Sequence, residues 1–502
     1  MRLFIGFLIT SFVCASSLLA DVTLAPLFNN HAVLQREAPV PIWGHAQPGQ
    51  HVTVKFGQQA VATTTQADGT WRVDLAPLAA NATGQTLTVS GETTVALQDI
   101  LVGDVWLCGG QSNMEWPVRN SRNAEAEIAA ADYPLIRHFK VARRIAAQPI
   151  KDMSGTWTVG SPDTVGDFTA VGYFFARRLH ADLGVPIGLL NSNWGGTPVE
   201  AWLPPSHPDD VDLAVDVASH QVRVNQSILE STERYRDAMR EWAEAQKAAH
   251  EASQPFETEP PAQPWQPGPF KTATVLYNGM IEPLLPYRLA GTIWYQGEGN
   301  AGQPETYRNM FGALIESWRE KFEHPEMPFY WAQLTSWDND GGENTDWAFL
   351  REAQQQTLEL PHTGQAILMD IGEADDIHPR NKQDVGDRLA RIALAEHYGH
   401  DLEHRGPVRT TVTFSPDNIF VEFDHADGLT TRDGEPPRGF EIAGPDHQFV
   451  PADSAAIDGE GVVLTTTVES PRYVRYAWRR WVDANLQNAA ALPAEPFRTD
   501  RE

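Results

Sequence analysis

Residues 100–114 read ILVGDVWLCGGQSNM, an apolar run that ends in two glycines and then presents Ser112. A continuous apolar run of this length is typical of a strand that is buried on both faces of a parallel sheet. Glycine lets the backbone turn sharply and approach another group closely. The segment therefore predicts a buried strand followed by a turn that exposes a serine hydroxyl, as a nucleophile requires.

The middle of the chain, from about Ile100 to Gly399, contains further apolar strands of this kind. Apolar strands alternate there with helical stretches; the strands are residues 187–190, 290–295, 329–334 and 366–369, and the helices are residues 173–183, 305–322, 347–358 and 382–397. This alternation predicts an α/β fold with a parallel sheet covered by helices on both faces. Ligands of such sheets bind at the carboxyl ends of the strands, so polar groups that follow different strands can share one pocket.

The regions on either side of this α/β part have a different pattern. Residues 21–98 and 405–502 contain short alternating strands separated by turn residues. Such strands predict an N-terminal and a C-terminal β-rich, sandwich-like domain. The α/β domain is therefore assigned to residues 99–404.

One insertion interrupts the α/β domain at about residues 205–270. A helix there carries Ile228, Tyr235, Met239 and Trp242 on one face and runs into a proline-rich stretch. The insertion is either a helical excursion that stabilises the fold or a lid or rim over the functional site. The sequence leaves both interpretations open.

Composition and targeting signals limit the partners of the chain. The 502 residues include 38 basic and 66 acidic side chains, a formal net charge of -28, which argues against nucleic acid and anionic membranes as partners. Residues 1–20 have the pattern of a secretory signal peptide, and no later segment is long and apolar enough to span a membrane. Beyond the signal Cys108 is the one remaining cysteine, so an internal disulfide is excluded. We predict a secreted or periplasmic bacterial protein.

A second motif, Asp375-Asp376-Ile377-His378-Pro379, lies far downstream of Ser112. Together the two motifs supply a nucleophile, a carboxylate and a base in the chain order serine, acid, histidine. A serine hydroxyl needs a base within hydrogen-bond reach, and imidazole suits that role because its pKa lies near neutrality. Either aspartate could accept the second N–H of His378.

Four segments together resemble the catalytic blocks of SGNH-type hydrolases. They are the motif GQSNM at residues 110–114, NSNWGGT at 191–197, WYQGEGN at 294–300 and the Asp375-x-x-His378-Pro379 motif. The nearest resemblance is to the sialate O-acetylesterase branch, which also contains bacterial acetylesterases acting on plant polysaccharides, and it extends from about Leu24 to residue 500. It implies a doubly wound, mostly parallel sheet of the SGNH or flavodoxin-like type.

The resemblance also implies roles for individual residues. Its Asp-x-x-His spacing favours Asp375 over Asp376 as the acid of a catalytic triad with Ser112 and His378. The backbone N–H groups of Ser112 and Gly196 are expected to stabilise the oxyanion, with Gly195 as the neighbour that could replace Gly196. The side chain of Gln296 is expected to be the third donor. Asn300 is the alternative third donor.

We therefore expect an exported serine esterase that hydrolyses O-acetyl esters on carbohydrates through an acetyl-serine intermediate, with no cofactor and no metal. The substrate is O-acetylated sialic acid or an acetylated hemicellulose such as xylan or xyloglucan. Arg119 is a candidate for binding the sialate carboxylate, by its proximity in sequence alone, whereas the negative charge of the chain favours a neutral polysaccharide slightly. The alternative is a non-catalytic glycan-binding protein built on an esterase-like scaffold. The oligomeric state is not readable.

Two other groups of residues allow a structural and a functional interpretation. Trp116, Trp194, Trp202 and Trp294 lie within or close to the first three of these blocks and could stack on sugar rings, although a core role is the more common one for tryptophan. The histidines at 397, 400 and 404 are spaced like metal ligands, but they lie at or beyond a helix end, where histidine is favourable without a metal.

Overall fold

The computed structural model describes residues 21–205, 211–264, 266, 268–338 and 344–501. The predicted signal peptide at residues 1–20 lies outside this described part and stays a prediction. Within the described part, no helix is long and apolar enough to cross a membrane.

Seven short strands make up the N-terminal region. They are β1 (Thr23–Leu24), β2 (Val33–Gln35), β3 (Val40–His45), β4 (His51–Phe56), β5 (Gln59–Thr64), β6 (Thr70–Leu75) and β7 (Asn81–Ser90). Buried and exposed residues alternate along β4 and β6, as in antiparallel sheets with one buried face. Strands β1, β3 and β6 form a three-stranded sheet, whereas β4, β5 and β7 lead into the next strand of the chain.

That next strand, β8 (Thr94–Gly110), is 17 residues long and belongs to two regions at once. Its first part, before Ile100, alternates between exposed and half-buried residues and pairs antiparallel with β7. From Ile100 onward every residue is buried, because this half lies in the middle of the central sheet. The domain boundary expected at residues 98 and 99 therefore falls inside a strand, and the division into domains stays a prediction.

The rest of the central sheet comes from β9 (Tyr133–Lys140), β10 (Trp157–Gly160), β11 (Ile187–Asn193), β12 (Gly291–Tyr295), β13 (Phe329–Ala332) and β14 (Thr363–Ala366). The order across the sheet is β10-β9-β11-β8-β12-β13-β14, and all neighbours are parallel except β10 and β9. With β2, β4, β5 and β7 attached through β8, the sheet has eleven strands.

Helices cover both faces of this sheet. The α-helices are α1 (Ser112–Glu115), α2 (Ala124–Ala129), α3 (Ala170–Leu183), α4 (Val211–Glu251), α5 (Pro304–Lys321), α6 (Asp346–Gln356) and α7 (Lys382–Ile392). Successive side chains of β8 point to opposite faces, so Val105 and Leu107 join a core with α5 and α6, whereas Trp106 and Cys108 join a core with α3 and α7. The first of these cores also includes the buried side chains of the N-terminal region.

The predicted insertion contains the 41-residue helix α4. The four residues expected on one face, Ile228, Tyr235, Met239 and Trp242, are all half-buried. The indole of Trp242 donates to the carbonyl of Thr258 at 2.8 Å, so the proline-rich stretch returns along the helix. The structure thus confirms the helix and its packed face.

The C-terminal region is built from ten short strands. They are β15 (Val408–Phe414), β16 (Ile419–Asp424), β17 (Thr430–Thr431), β18 (Phe440–Ala443), β19 (Val450–Pro451), β20 (Ser454–Asp458), β21 (Gly461–Thr465), β22 (Tyr473–Tyr476), β23 (Leu486–Gln487) and β24 (Phe497–Arg498). Two four-stranded sheets, β15-β16-β21-β20 and β19-β18-β22-β24, enclose a separate apolar core. The chain is thus a mixed α/β protein with β-rich regions on both sides, as expected.

Candidate active site

The register of the central sheet brings three of the four motifs together. Gly110, the last residue of β8, pairs with Asn193 at the end of β11 and with Tyr295 at the end of β12. Gly110 has a φ of +132°, and a Cβ there would come within 2.2 Å of the Tyr295 carbonyl oxygen, so this turn requires glycine. Ser112 follows the turn as the first residue of α1. Its hydroxyl consequently lies at the carboxyl edge of the sheet.

The fourth motif reaches the same edge from the loop between β14 and α7. His378 Nε2 lies 2.9 Å from Ser112 Oγ, the hydrogen bond that a general base needs. The imidazole also stacks on the indole of Trp116, with the ring centres 5.0 Å apart. Burial and the nearby Lys382 ammonium lower the pKa of His378 below its ordinary 6.5, and Asp376 opposes this shift. The histidine is therefore held in its neutral, proton-accepting form near neutral pH.

The carboxylate beside His378 belongs to Asp376, which corrects the expectation of Asp375. Asp376 Oδ1 lies 3.5 Å from His378 Nδ1 and accepts the backbone N–H of His378 at 2.8 Å. Asp375 is exposed. The physical reason is the tight turn that Asp376 makes with Glu373, because it leaves the side chain two residues before the histidine, and not three, beside the ring.

Two backbone N–H groups near the serine are free to stabilise an oxyanion. In the described part of the chain, neither the Ser112 N–H nor the Gly196 N–H donates a hydrogen bond to a protein atom. Gly196 has a φ of +71° in the turn after β11. The N–H of the neighbouring Gly195 donates to Glu115 Oε2 at 2.9 Å, so it is occupied. This favours Gly196 over Gly195, as the sequence suggests.

Gln296 does not fit its expected role as the third oxyanion donor. Its side chain is fully buried, and its Nε2 donates to the carbonyl of Thr197 at 3.2 Å and to Asn300 Oδ1 at 2.7 Å. The hydroxyl of Tyr307 donates to Gln296 Oε1 at 3.1 Å. Both amide hydrogens are thus used inside the protein. Gln296 connects the loop after β12 to the loop after β11.

Asn300, the alternative donor, is committed in the same way. Its Nδ2 donates to Glu200 Oε2 at 2.9 Å, and its Oδ1 accepts the Val199 N–H as well as the amide of Gln296. Glu200 is completely buried and lies 3.0 Å from the Nδ1 of His220 on α4. Burial opposes charge on both groups, but their mutual attraction raises the pKa of His220 and lowers that of Glu200. This chain of bonds fixes the base of α4 beside the site.

A group of three buried polar residues behind Ser112 was missed by the sequence reasoning. Asn113 Oδ1 accepts from the ammonium of Lys382 at 2.5 Å, and Asn113 Nδ2 donates to Glu298 Oε1 at 2.5 Å and to the carbonyl of Ile377 at 3.1 Å. Burial lowers the pKa of Lys382 to about 7 and raises that of Glu298. The sequence contains one indication of the lysine: it lies in the first turn of a predicted helix, where a cation is unfavourable.

A half-exposed arginine pairs with the last residue of the helix that begins at Ser112. Arg143, in the loop after β9, forms an ion pair with Glu115, the carboxylate that also accepts the Gly195 N–H. The guanidinium lies 5.1 Å above the centre of the Trp194 ring, and Trp194 stacks on Phe270 at 4.9 Å. The side chain of Arg143 is 45% exposed. Arg143 and the two aromatic rings thus form one connected group that reaches helix α1 through Glu115.

The remaining candidates lie elsewhere. Trp202 and Trp294 are fully buried in the core, whereas Trp116 and Trp194 are half-buried at the site. Arg119 is exposed and forms an ion pair with Asp167. Among the histidines at 397, 400 and 404, His404 lies 2.9 Å from Glu396. In the described residues, no three His, Cys, Asp or Glu side chains are grouped as a metal ion requires.

A serine hydroxyl bonded to a half-buried imidazole, at the carboxyl edge of a helix-covered parallel sheet, defines a hydrolytic enzyme of the open α/β class. A family model described as carbohydrate esterase, sialic acid-specific acetylesterase, matches residues 261–395. The chain is 32% identical to rat sialate O-acetylesterase, over 94% of this chain and 93% of the relative, and 30% identical to the human protein, over 94% and 91%. The chain belongs to the sialate O-acetylesterase family and is a carboxylic ester hydrolase.

A solved structure agrees with this assignment. The crystal structure of a carbohydrate acetylesterase from Xanthomonas citri is 38% identical in sequence, with a TM-score of 0.81, and the match covers 96% of this chain and 100% of that one. The shared fold therefore includes both β-rich regions as well as the central sheet.

The predicted location is contradicted by these comparisons. The bacterial source in that prediction was inferred from export without a disulfide, but the curated relatives come from rat, mouse, orangutan and human. The inference failed because a large apolar core can stabilise a chain of this size without disulfides, so the cysteine count carries no information about the source.

Proposed function

We propose that the chain removes O-acetyl groups from carbohydrates, with Ser112 as nucleophile, His378 as general base and acid, and Asp376 as the carboxylate that orients the imidazole. The observation that carries the proposal is the 2.9 Å hydrogen bond between His378 Nε2 and Ser112 Oγ at the edge of the sheet. The names of the similar proteins, sialate O-acetylesterase and carbohydrate acetylesterase, support the acetyl and sugar assignment.

The strand order supports an SGNH or flavodoxin-like arrangement as part of this proposal. Among β8 and β11–β14 the order is β11-β8-β12-β13-β14, which is 2-1-3-4-5 in chain order, and β9 is added outside β11. The chain leaves β8 toward one side of the sheet and later returns to its other side. Such a reversal is the topological switch point at which ligands of these folds bind. Ser112 follows directly after it.

The reaction proceeds in two acyl transfers. In the first, Ser112 Oγ attacks the acetyl carbonyl while its proton passes to His378 Nε2, and the oxyanion accepts from the N–H groups of Ser112 and Gly196. His378 then gives that proton to the departing sugar oxygen, which leaves an acetyl-serine. In the second, His378 takes a proton from water, the hydroxide attacks the acetyl group, and Ser112 regains its proton as acetate departs.

Asp376 has a supporting role in both transfers. Its carboxylate can accept the Nδ1–H of His378 and stabilise the imidazolium that forms twice in the cycle. Oxyanion donors are each worth about 2.7–4 kcal/mol in the transition state, which is the reason that unoccupied N–H groups at Ser112 and Gly196 matter.

O-acetylated sialic acid is the first candidate substrate, because the half-exposed guanidinium of Arg143 pairs with Glu115, the last residue of the helix that begins at Ser112. A guanidinium can bind the carboxylate of sialic acid by charge-assisted hydrogen bonds. A neutral acetylated hemicellulose is the second candidate, favoured by the net charge of -28 and by the Arg143–Glu115 ion pair, which already neutralises the cation.

The test compares acetate release from 9-O-acetylated sialic acid and from acetylated xylan and xyloglucan oligosaccharides. Wild-type protein should release acetate, and Ser112→Ala should release none above background. Binding of sugar by the wild type without any acetate release would refute the proposal and favour a glycan-binding protein.

A second pair of variants separates the two substrate classes. If sialate is the substrate, Arg143→Gln should raise its KM about 10-fold and leave neutral acetyl esters unaffected, because only the acidic sugar loses a charge-assisted bond. Arg119→Gln is the matched control, since Arg119 is exposed and paired with Asp167. An unchanged KM in Arg143→Gln would exclude Arg143 from binding sialate, and a rise in Arg119→Gln alone would favour Arg119, the candidate from the sequence.

A further inference from the structure

Lys382 is buried at a place where a cation is doubly unfavourable. It is the first residue of α7, where the helix dipole is positive, and none of its side chain is exposed. In the described part of the chain it forms no ion pair within 4 Å. Its ammonium donates to Asn113 Oδ1 at 2.5 Å and lies 5.3 Å from the ring centre of Tyr295 and 5.8 Å from that of Trp116. Burying a cation without an ion-pair partner costs desolvation free energy, so a functional role would explain why lysine occupies this position.

Asn113 shows what the lysine holds. This residue follows Ser112 directly and is fully buried. Its amide donates to Glu298 in the loop after β12 and to the carbonyl of Ile377, and its oxygen accepts from Lys382. Asn113 directly follows Ser112, and Ile377 directly precedes His378, so the hydrogen bond between them joins the neighbours of the proposed nucleophile and base. Asn113 therefore ties the serine turn to the histidine loop.

The charge of Lys382 acts on the same histidine. The charged groups around His378 are Asp376 on its own loop, which favours the imidazolium, and Lys382 on α7, which disfavours it. Glu298, Asp376 and Glu373 attract the lysine charge, in that order of size. While Lys382 carries its charge, it opposes protonation of His378.

We propose that Lys382 is a positioning residue for the reaction: through Asn113 it holds Ser112 against His378, and its charge keeps the histidine in the neutral form that accepts the serine proton. This inference rests on the proposed roles of Ser112 and His378. It assigns a function to a buried cation that does not contact the substrate.

The first variant is Lys382→Met, which keeps the length of the side chain but removes its charge and its donor. We expect kcat to fall about 10- to 100-fold with KM within twofold, because the nucleophile is misplaced by a fraction of an ångström. We also expect the acid limb of kcat/KM to move up by about half a unit to one unit of pH, because the imidazolium loses a repelling neighbour. The half-exposed Lys321 on α5 supplies the matched control, Lys321→Met.

The imidazole can be observed without turnover. In protein labelled at histidine, the NMR signal of His378 is identified by its absence from His378→Gln, and its titration is followed in wild type and in Lys382→Met. An upward shift of the His378 pKa in the variant supports the proposal. An unchanged titration, in a folded variant whose kcat has fallen, would reduce Lys382 to a structural role and overturn the electrostatic part.

Asn113→Ala tests the tether separately and serves if Lys382→Met does not fold. It breaks the same junction and leaves the ammonium in place, so kcat should fall while the acid limb moves less than in Lys382→Met. Folded Asn113→Ala with a kcat within twofold of wild type would overturn the tether.

All assays use p-nitrophenyl acetate beside the sugar esters. Retained activity in Ser112→Ala would refute the proposed function, a result distinct from any of these.

Discussion

The adjacent aspartates 375 and 376 allow a sharp test, because the structure assigns them different roles at the same histidine. The perturbation is Asp376→Asn, compared with Asp375→Asn. Both changes remove one negative charge and keep an acceptor oxygen of the same shape. The bond from the His378 backbone N–H to position 376 can therefore survive in the variant, so that the difference reports on the imidazole.

The distance sets the size of the expected effect. Unit charges 3.5 Å apart, as at Asp376 Oδ1 and His378 Nδ1, attract each other by about 5 kcal/mol at an effective dielectric of 20. The two side chains are 32% and 28% exposed, so solvent screening reduces this to roughly half. A loss of about 2.5 kcal/mol of imidazolium stabilisation corresponds to a decrease of kcat/KM of roughly 10²-fold.

The assay is the initial rate of acetate release, measured beside thermal unfolding of each variant. In Asp376→Asn, kcat/KM should fall by that factor while the unfolding midpoint stays near that of wild type. Asp375→Asn should remain within twofold, since its side chain is exposed. A large loss in Asp375→Asn with a mild one in Asp376→Asn would show the residue three positions before the histidine to be the acid. Mild losses in both would show that His378 needs no carboxylate.

Three further predictions concern the surroundings of the site. Gln296→Leu should lower the free energy of unfolding by about 2–4 kcal/mol, because the buried partners of Gln296 lose their hydrogen bonds. A kcat loss of about 10²-fold without any loss of stability would instead restore Gln296 as an oxyanion donor. Gly195→Ala should lower kcat about 10-fold, because the added Cβ would lie 3.2 Å from the Cβ of Ser112, and an unchanged kcat would show that the turn relaxes freely. The His220–Glu200 pair should stabilise the fold most between about pH 4.5 and 6.5, measured by thermal unfolding, and His220→Gln should flatten that dependence.

The direction of this pH dependence follows from the two pKa shifts. The pKa of His220 is raised in the folded state, so its contribution is complete below the ordinary value of 6.5 and is lost as pH rises through the folded value. The pKa of Glu200 is lowered, so its contribution is complete above 4.5 and is lost as pH falls. A stability that rises steadily from pH 6 to 9 would contradict this.

Controls are available for two of these variants. Gly302→Ala adds the same methyl group as Gly195→Ala, but in open space, so its activity should equal that of wild type. Gln383→Leu removes a glutamine with partly exposed bonds on α7, and it should lower the unfolding midpoint less than Gln296→Leu does.

The sequence predicted that Ser112 and His378 lie in one site because the environment of each is set by residues nearby in the chain. The apolar run before Ser112 identifies a buried strand, and the glycine at 110 is required by contact with the next strand. His378 was identifiable because its imidazole, with an aspartate close by in the chain, supplies the base and the carboxylate that a serine nucleophile requires. The 2.9 Å bond between them depends on the register of three parallel strands, which the alternation of strands and helices predicts only in outline.

The acid and the third oxyanion donor depend on details that no spacing rule contains. Whether Asp375 or Asp376 faces the ring is decided by one turn of backbone between Glu373 and His378. Gln296 has the chemistry of an oxyanion donor, but the hydroxyl of Tyr307 and the carbonyl of Thr197, distant in sequence, occupy its amide. Side-chain chemistry is local, whereas the competition for its hydrogen bonds is decided by the tertiary fold.

Strand β8 has a consequence for how this protein could be divided or recombined. The strand begins in the N-terminal region and ends two residues before Ser112, and the apolar core beneath the first region continues under helices α5 and α6. A cut at residue 98 would sever a continuous strand and expose a shared core to water. Exchange of the N-terminal region for another fold would therefore damage the support of the nucleophile itself.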